Sequence, residues 1–487
     1  MTEASDDRQK PVFGGEDLYV DIDGTLVRTD LLYEAAWRYV RTAPWRLFTL
    51  IWLAFGGPAR VKTFLARKTA FDPAALPYEP SMIELINARK RAGYRTVLIT
   101  ASHRKYASRI AAHLDLLGGA YGSSSRQNLK GAAKLTRIRS LSEGRSFIYA
   151  GNSTADRPIW AASERGILVN APSKDVKAAE LAGRAALVVK SRPPVWRAFL
   201  REMRLYQWVK NALIFVPLFT SHGYSDIHLV LLAMMAFLAF SLCASGHYFL
   251  NDLIDLDADR GHHTKRIRPL ASGDLPVVYG AVGAILLPIA GILLSLARLP
   301  LNFTLLLLSY LALTNLYSFY LKSRSTADIF ALALLYTIRV IAGGAALAIS
   351  LTSWLLAYSM FVFISLAYLK RYVELSNLAA GQIKGRGYAK GDAETIFILG
   401  IANTTAAVVV LALYISSPEV KILYRAPEFL WGICFLMLYW GNRIWVGARR
   451  GKINDDPVLF ALKDKVSRYV LLAMIVVVLA ARFVRPH

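Results

Sequence analysis

Asp252, Asp255 and Asp259 stand three and four residues apart in the stretch NDLIDLDAD that opens at Asn251. On a helix this spacing puts the three carboxylates on one face. Such a face suits a Mg²⁺ ion on a diphosphate, since Mg²⁺ takes a few carboxylates together with phosphate oxygens of a substrate. Asp257 falls off the face and is expected to be solvated or paired. Lys265, Arg266 and Arg268 follow, with donors for further phosphate oxygens. His247, His262 and His263 lack a metal-binding spacing and read as polar neighbours. The whole stretch continues the apolar run LLAMMAFLAFSLCASGHYFL almost without a break. Charge at the edge of a membrane helix is costly unless it is paired or used.

A second set lies near the N-terminus. VDIDGT places Asp21 and Asp23 two residues apart at a strand end, where both can face one site. Gly24 permits the tight turn that follows. VLIT ends a later strand at Thr100, with Ser102 just beyond. NLKGAAK supplies Lys130 and, one turn on, Lys134. YAGNSTAD ends another strand with Asn152 and Asp156. In a parallel sheet the strand ends are where ligands bind.

The elements that must position these residues fall into two classes. Up to about Lys190, short β-type runs alternate with helical stretches, the pattern of a parallel α/β sheet. Pro193 and Pro194 break the chain, and a basic, aromatic-bearing helix over 193–208 is expected at a membrane interface. Nine apolar spans then follow, over about 209–225, 228–250, 278–297, 300–320, 328–349, 353–369, 394–416, 427–447 and 467–485. The chain is 55% hydrophobic yet carries a net charge of +24. Together these indicate membrane helices with basic loops and exclude a soluble nucleic-acid binder.

The basic residues sit in alternate loops. One set holds Arg260 to Arg268, Lys322 and Arg324, Lys370, Arg371, Lys384 and Arg386, and Arg449 and Arg450. Positive-inside bias places these loops and the soluble domain in the cytoplasm and the C-terminal Arg-Pro-His outside. Trp45–Lys68 is too apolar for an ordinary exposed helix and too short to span comfortably. It is expected either to lean on the membrane or second domain or to form a buried helix pair. Cys243 and Cys434 read as buried small side chains. The polar N-terminus has no signal-peptide core.

The first constellation resembles the haloacid-dehalogenase-like (HAD) phosphatase superfamily. The resemblance covers residues 15–192, with a helical cap over about 31–80 and a flexible tail over 1–14. It implies a Rossmann-like sheet, with Asp21 as the nucleophile that forms an aspartyl-phosphate and Asp23 as general acid/base. It further implies that Thr100 and Lys130 hold the phosphoryl oxygens and that Asp21, Asp23, Asn152 and Asp156 hold Mg²⁺. Asn152 departs from the family's acidic pair and offers a carbonyl oxygen instead.

The carboxylate loop resembles the first signature of the UbiA prenyltransferase superfamily, an all-α polytopic membrane fold, here over 209–487. In lipid-quinone members a second signature holds two aspartates. The corresponding YSFYLKSRSTADIFAL keeps Tyr317, Tyr320, Lys322 and Asp328 but has Leu332 in place of the second carboxylate. QWVKN (Gln207–Asn211), IRVIAGG, KRYVEL and DDPVLFALKD (Asp455–Asp464) resemble decaprenyl-phosphate phosphoribosyltransferases. This resemblance implies transfer of ribose from 5-phosphoribosyl pyrophosphate to a polyprenyl phosphate. Asp252, Asp255 and Asp259 would hold a second Mg²⁺. Phosphate contacts would come from Lys210, Asn251, Lys265, Arg266 and Arg268, and from Tyr320, Lys322, Arg339, Lys370 and Arg371. It further implies a multi-pass protein of a bacterial inner membrane with both sites cytoplasmic. The HAD domain would remove the 5-phosphate of the lipid-linked product. An aromatic-acceptor prenyltransferase with a non-catalytic HAD docking module is the alternative, and oligomerisation is left open.

Overall fold

The computed structural model describes residues 15–125, 127–377, 387–453 and 457–484. The tail at 1–14, Lys384, Arg386, Asp455 and the C-terminal Arg-Pro-His lie outside the described residues. By compactness the chain forms two units, one of residues 1–203 with 248–284 and one of 204–247 with 285–487.

In the first unit β1 (Asp17–Val20), β2 (Thr96–His103), β3 (Ala120–Ser123), β4 (Phe147–Gly151), β5 (Arg165–Val169) and β6 (Ala185–Val189) form a parallel sheet. Its order is β3-β2-β1-β4-β5-β6. Leu18, Val20, Leu98 and Ile148 pack on one face, and Tyr19, Val97, Ile99 and Tyr149 on the other. Both faces are covered, which is why these strands read as continuous apolar runs. Between β1 and β2 come α1 (Leu31–Val40), α2 (Arg46–Ala54), α3 (Pro58–Lys68) and α4 (Pro80–Arg91). The other crossovers carry α5 (Arg104–His113), α6 (Ala132–Ser142), α7 (Arg157–Ala162) and α8 (Ser173–Leu181).

The expected helix over 193–208 is shorter than its sequence run: α9 covers only Val195–Glu202. Arg204, at φ 53°, turns the chain into a 3₁₀ segment, Leu205–Phe215. The short α10 (Val216–Thr220) follows. Then come α11 (Ile227–Ile254), α12 (Leu256–Arg260), α13 (Pro269–Ser272) and α14 (Val277–Arg298). The division between units falls inside α11 and α14.

The second unit continues with α15 (Leu301–Phe319), α16 (Ala327–Leu347), α17 (Ser353–Ser376), α18 (Ala393–Ile415) and α19 (Pro418–Leu423). It ends with α20 (Trp431–Arg449), α21 (Pro457–Lys463) and α22 (Lys465–Phe483). Among the described residues eight helices, not nine, are long and apolar enough to cross a membrane. The missing one is the expected first span, 209–225. Its tight 3₁₀ backbone lies against α16, where a Cβ on Gly343 would come within 2.2 Å of the Ile214 carbonyl oxygen. Asn211 anchors the segment by donating to Ser241 Oγ (2.9 Å). The segment is a 3₁₀ stretch followed by a short helix, and Asn211 and Ile214 are buried inside the helical unit.

Candidate functional site

The central strand β1 delivers Asp21 and Asp23 to the carboxyl edge of the sheet, beside β2 and β4. Gly24 turns the chain at φ 77°, and a Cβ there would lie 2.0 Å from Asn152 Nδ2. Thr100 Oγ1 donates to Asp23 Oδ2 (3.1 Å), and the Leu31 amide donates to Asp23 Oδ1 (2.9 Å). Asp21, Asp23, Thr100, Asn152 and Asp156 are thus gathered in one place. Burial pushes the Asp21 carboxyl up to about 7, against the pull of Lys134. Burial, with the nearby Asp30 charge, pushes Asp23 up to about 6.

The lysine at this site is Lys134, not Lys130. Lys130 is exposed in the loop before α6, whereas Lys134, in the first turn of α6, is buried with its Nζ 3.1 Å from Asp21 Oδ1. Asp156 is held within the protein through both oxygens. One oxygen accepts from Tyr149 (2.7 Å) and lies 3.5 Å from Lys134, and the other accepts from the Asn152 and Ser153 amides and Ser153 Oγ. Both oxygens are therefore engaged in fixing the loop after β4. Lys62 reaches the same edge from α3, donating to the Ala101 carbonyl (2.7 Å) and Asn128 Oδ1 (3.2 Å). Its apolar surroundings in the sequence gave no sign of this.

The carboxylate loop also belongs to the first unit. α11 ends at Ile254 and the chain bends at Asp255 (φ −86°, ψ 7°), so the three aspartates do not share one unbroken helix. Backbone hydrogen bonds from Asp255 to Asn251 and from Asp259 to Asp255 preserve the four-residue step. Asp252 and Asp259 are buried, and Arg268 Nη1 joins them, at 2.9 Å and 2.6 Å. Lys265 Nζ lies 3.9 Å from Asp259. Arg268, expected on phosphate, is thus a bridge between carboxylates, and Arg266 is exposed. Burial raises Asp259 above its ordinary value, with Arg268 opposing.

Asp257 has a different partner. Arg38 Nη2 (2.6 Å) and Arg41 Nη2 (3.1 Å) of α1 both bind it. Trp37 Nε1 donates to the Leu253 carbonyl (2.8 Å), and Arg260 forms a two-pronged pair with Glu34. Glu34, Trp37, Arg38 and Arg41 stand at i, i+3, i+4 and i+7, so one face of α1 grips the loop. That spacing was visible in the sequence, but its target was not.

In the second unit Arg371 and Arg339, both expected on phosphate, are enclosed. Arg371 pairs with Asp328 (2.5 Å) and Glu374 and donates to Tyr317 (2.9 Å). Tyr388 donates to the other Asp328 oxygen (2.6 Å). Arg339 donates to Asn211 Oδ1 (2.9 Å), Tyr310 (3.3 Å) and the Leu335 carbonyl. Its guanidinium lies over the Phe240, Tyr310 and Tyr336 rings. Lys210 Nζ stands 5.9 Å from the Tyr336 ring centre. Tyr320 is exposed, and Lys322 and Lys370 are half-buried.

The family model described as the UbiA prenyltransferase family matches residues 212–462. The chain belongs to the UbiA prenyltransferase family. The model described as haloacid dehalogenase-like hydrolase matches residues 18–160, so this UbiA protein carries a HAD-like N-terminal domain. A Sinorhizobium fredii protein described as uncharacterized protein y4nM is 38% identical, over 93% of this chain and 88% of its own length. A decaprenyl-phosphate phosphoribosyltransferase of Mycobacterium tuberculosis is 36% identical over 38% of this chain and 64% of its own. A UbiA homolog from Archaeoglobus fulgidus, solved with GPP and Mg²⁺, aligns with a TM-score of 0.44 at 15% identity, over 59% of this chain and all of the homolog.

UbiA and HAD-like proteins generally use Mg²⁺. Among the described residues no three or more His, Cys, Asp or Glu side chains converge to hold a metal ion, and the oxygen donors come in smaller sets. In the UbiA loop, the single positive centre of Arg268 reaches an oxygen of both Asp252 and Asp259. In the HAD-like domain, Asp21 and the Asn152 amide flank the Gly24 turn.

Proposed function

We propose that this UbiA protein transfers 5-phosphoribose from 5-phosphoribosyl pyrophosphate to a polyprenyl phosphate, releasing pyrophosphate. The observation that carries this reading is the Asp328–Arg371 pair. The second carboxylate position of a prenyl-diphosphate site is Leu332, and the remaining aspartate shares the buried Arg371 with Glu374 and accepts from Tyr388. In this reading Arg371 stays on Asp328 and Glu374, and the Asp252 loop supplies the carboxylates for one Mg²⁺ on one leaving pyrophosphate. The partial likeness to phosphoribosyltransferases supports the same reading.

In this reading Asp252, Asp255 and Asp259 hold the Mg²⁺, which lowers the charge cost of the departing pyrophosphate. Arg268 moves from the carboxylates to phosphate oxygens as the substrate arrives. Lys210, Lys322 and Lys370 are the candidates for the other phosphates, while Arg339 and Arg371 hold their helices. The acceptor phosphate is already an anion near neutral pH, so no strong general base is needed.

The HAD-like domain then removes the 5-phosphate of the lipid-linked product, with Asp21 as nucleophile and Asp23 as acid/base. Tethering the two activities raises the effective concentration of the second substrate. In this reading the active sites face the cytoplasm, the side that the positive-inside bias of the loops supports.

The purified chain is assayed with labelled 5-phosphoribosyl pyrophosphate and polyprenyl phosphate. A lipid-linked ribose product is expected; its absence, with protection by geranyl diphosphate instead, favours the prenyltransferase reading. In Asp21→Asn the product keeps its 5-phosphate. Unchanged dephosphorylation removes Asp21 from that role.

A further inference from the structure

α2 buries only Leu50. Trp45, Phe48, Trp52 and Phe55 are 71%, 74%, 73% and 88% exposed, and Leu47 and Ile51 widen the patch. The four aromatic residues recur every three or four positions and so share one face. Between Trp45 and Phe55 the only charged side chain is Arg46, whose guanidinium lies over the Tyr39 ring at 5.0 Å. A contiguous apolar surface of this kind marks an interaction site.

The contacts of α1 decide which partner fits. Trp37 and Arg41 bind the Leu253 and Ile254 carbonyls in the last turn of span α11, and Arg38 and Arg41 bind Asp257 just beyond it. α2 begins after a short turn through Pro44. Both helices and this end of α11 lie in the same compact unit. α2 is thereby held where a membrane span leaves the bilayer. Tryptophan and phenylalanine on one helix face suit the boundary between headgroups and acyl chains. Arg60, Arg67 and Lys68 of α3 are exposed beside it, which complements anionic headgroups.

We propose that α2 is an in-plane membrane helix, with its Trp45–Phe55 face sunk into the surface of the bilayer that the chain spans. The phosphatase-like domain is then held at two points, through α1 on the carboxylate loop and through α2 on lipid. Its strand-end site keeps a fixed height above the membrane. This inference is independent of the proposed reaction.

The test uses the full chain with Trp52→Cys, and separately Phe48→Cys, each labelled with an environment-sensitive fluorophore. The native Cys243 and Cys434 are buried. The labelled chain is reconstituted in phosphatidylcholine–phosphatidylglycerol vesicles. Lipids carrying a quencher near the top of the acyl chain are expected to quench both labels. Aqueous iodide is expected to quench them several-fold less than the same label at Leu117→Cys, a residue 95% exposed. Iodide quenching equal to that at position 117 overturns the proposal. So does a label that lipid quenchers never reach and that becomes iodide-accessible on dilution into excess lipid, because the face then covers a second copy of the chain.

Discussion

Lys134 Nζ lies 3.1 Å from Asp21 Oδ1, and both side chains are buried. Burial opposes charge on both, but the Asp21 and Asp156 carboxylates keep the Lys134 ammonium above its ordinary value. Removing one member of a buried pair leaves the other uncompensated, at a cost of about 3–5 kcal/mol. Lys134→Met should therefore lower the unfolding temperature of the first unit and abolish hydrolysis of an aryl phosphate. Lys130→Met should stay within a few-fold of wild type in both measurements. The reverse result assigns the phosphate-binding role to Lys130.

The raised carboxyls make the metal-free domain pH-sensitive. Asp21 and Asp23 move from an ordinary 3.8 to about 7 and about 6. Between these limits the folded chain holds protons that the unfolded chain has released, so protonation favours folding. This contribution is full below about pH 4 and is lost as pH rises through about 6 and then about 7. The protection of the β1 amides from hydrogen exchange, corrected for the pH dependence of intrinsic exchange and measured without divalent cations, should fall across that window. Mg²⁺ should flatten the profile if Asp21 binds it. A profile that is flat without metal counts against both shifts.

Arg268 is the bridge between Asp252 and Asp259, and it is partly exposed. In Arg268→Gln the two buried carboxylates lose the cation that bridges them, and Asp259 keeps Lys265 at 3.9 Å, at a cost of about 1–3 kcal/mol after allowing for solvent. The lost thermal stability should return on adding millimolar Mg²⁺, and more completely than in wild type. If Mg²⁺ gives no extra protection, these oxygens do not form a metal site.

The Asp328–Arg371 pair has a distinct signature. Asp328→Asn and Arg371→Met should each destabilise by about 3–5 kcal/mol, whereas Asp328→Leu with Arg371→Met and Glu374→Gln should recover much of the loss, because no member of the charged set is then left without its partner. Leu332→Asp, which restores the missing carboxylate, should not confer turnover of a prenyl diphosphate while Arg371 occupies Asp328. Turnover in that variant places the donor choice at position 332 alone.

The sequence by itself determined both constellations and the α/β-then-membrane order. The reason is local. Asp21 and Asp23 are two residues apart at a strand end, and Asp252 to Asp259 step by a helical period, so residue spacing alone sets which groups lie near each other. Hydropathy likewise located eight of the spans. Over 209–225 the chain forms a 3₁₀ segment and a short helix instead of one long helix, a break that hydropathy does not encode.

Only the tertiary structure decided which charges are available and which are paired. Arg268, Arg339 and Arg371 all read as phosphate ligands in a basic sequence, yet each is paired within the protein: Arg268 inside its own loop with Asp252 and Asp259, Arg339 with Asn211 and Tyr310, and Arg371 with Asp328. Lys134 gained the site that Lys130 was expected to fill because the first turn of α6 points it inward. The grip of α1 on Asp257 joins residues more than 200 positions apart. Pairings of this kind depend on how the chain folds back on itself, and no local spacing encodes them.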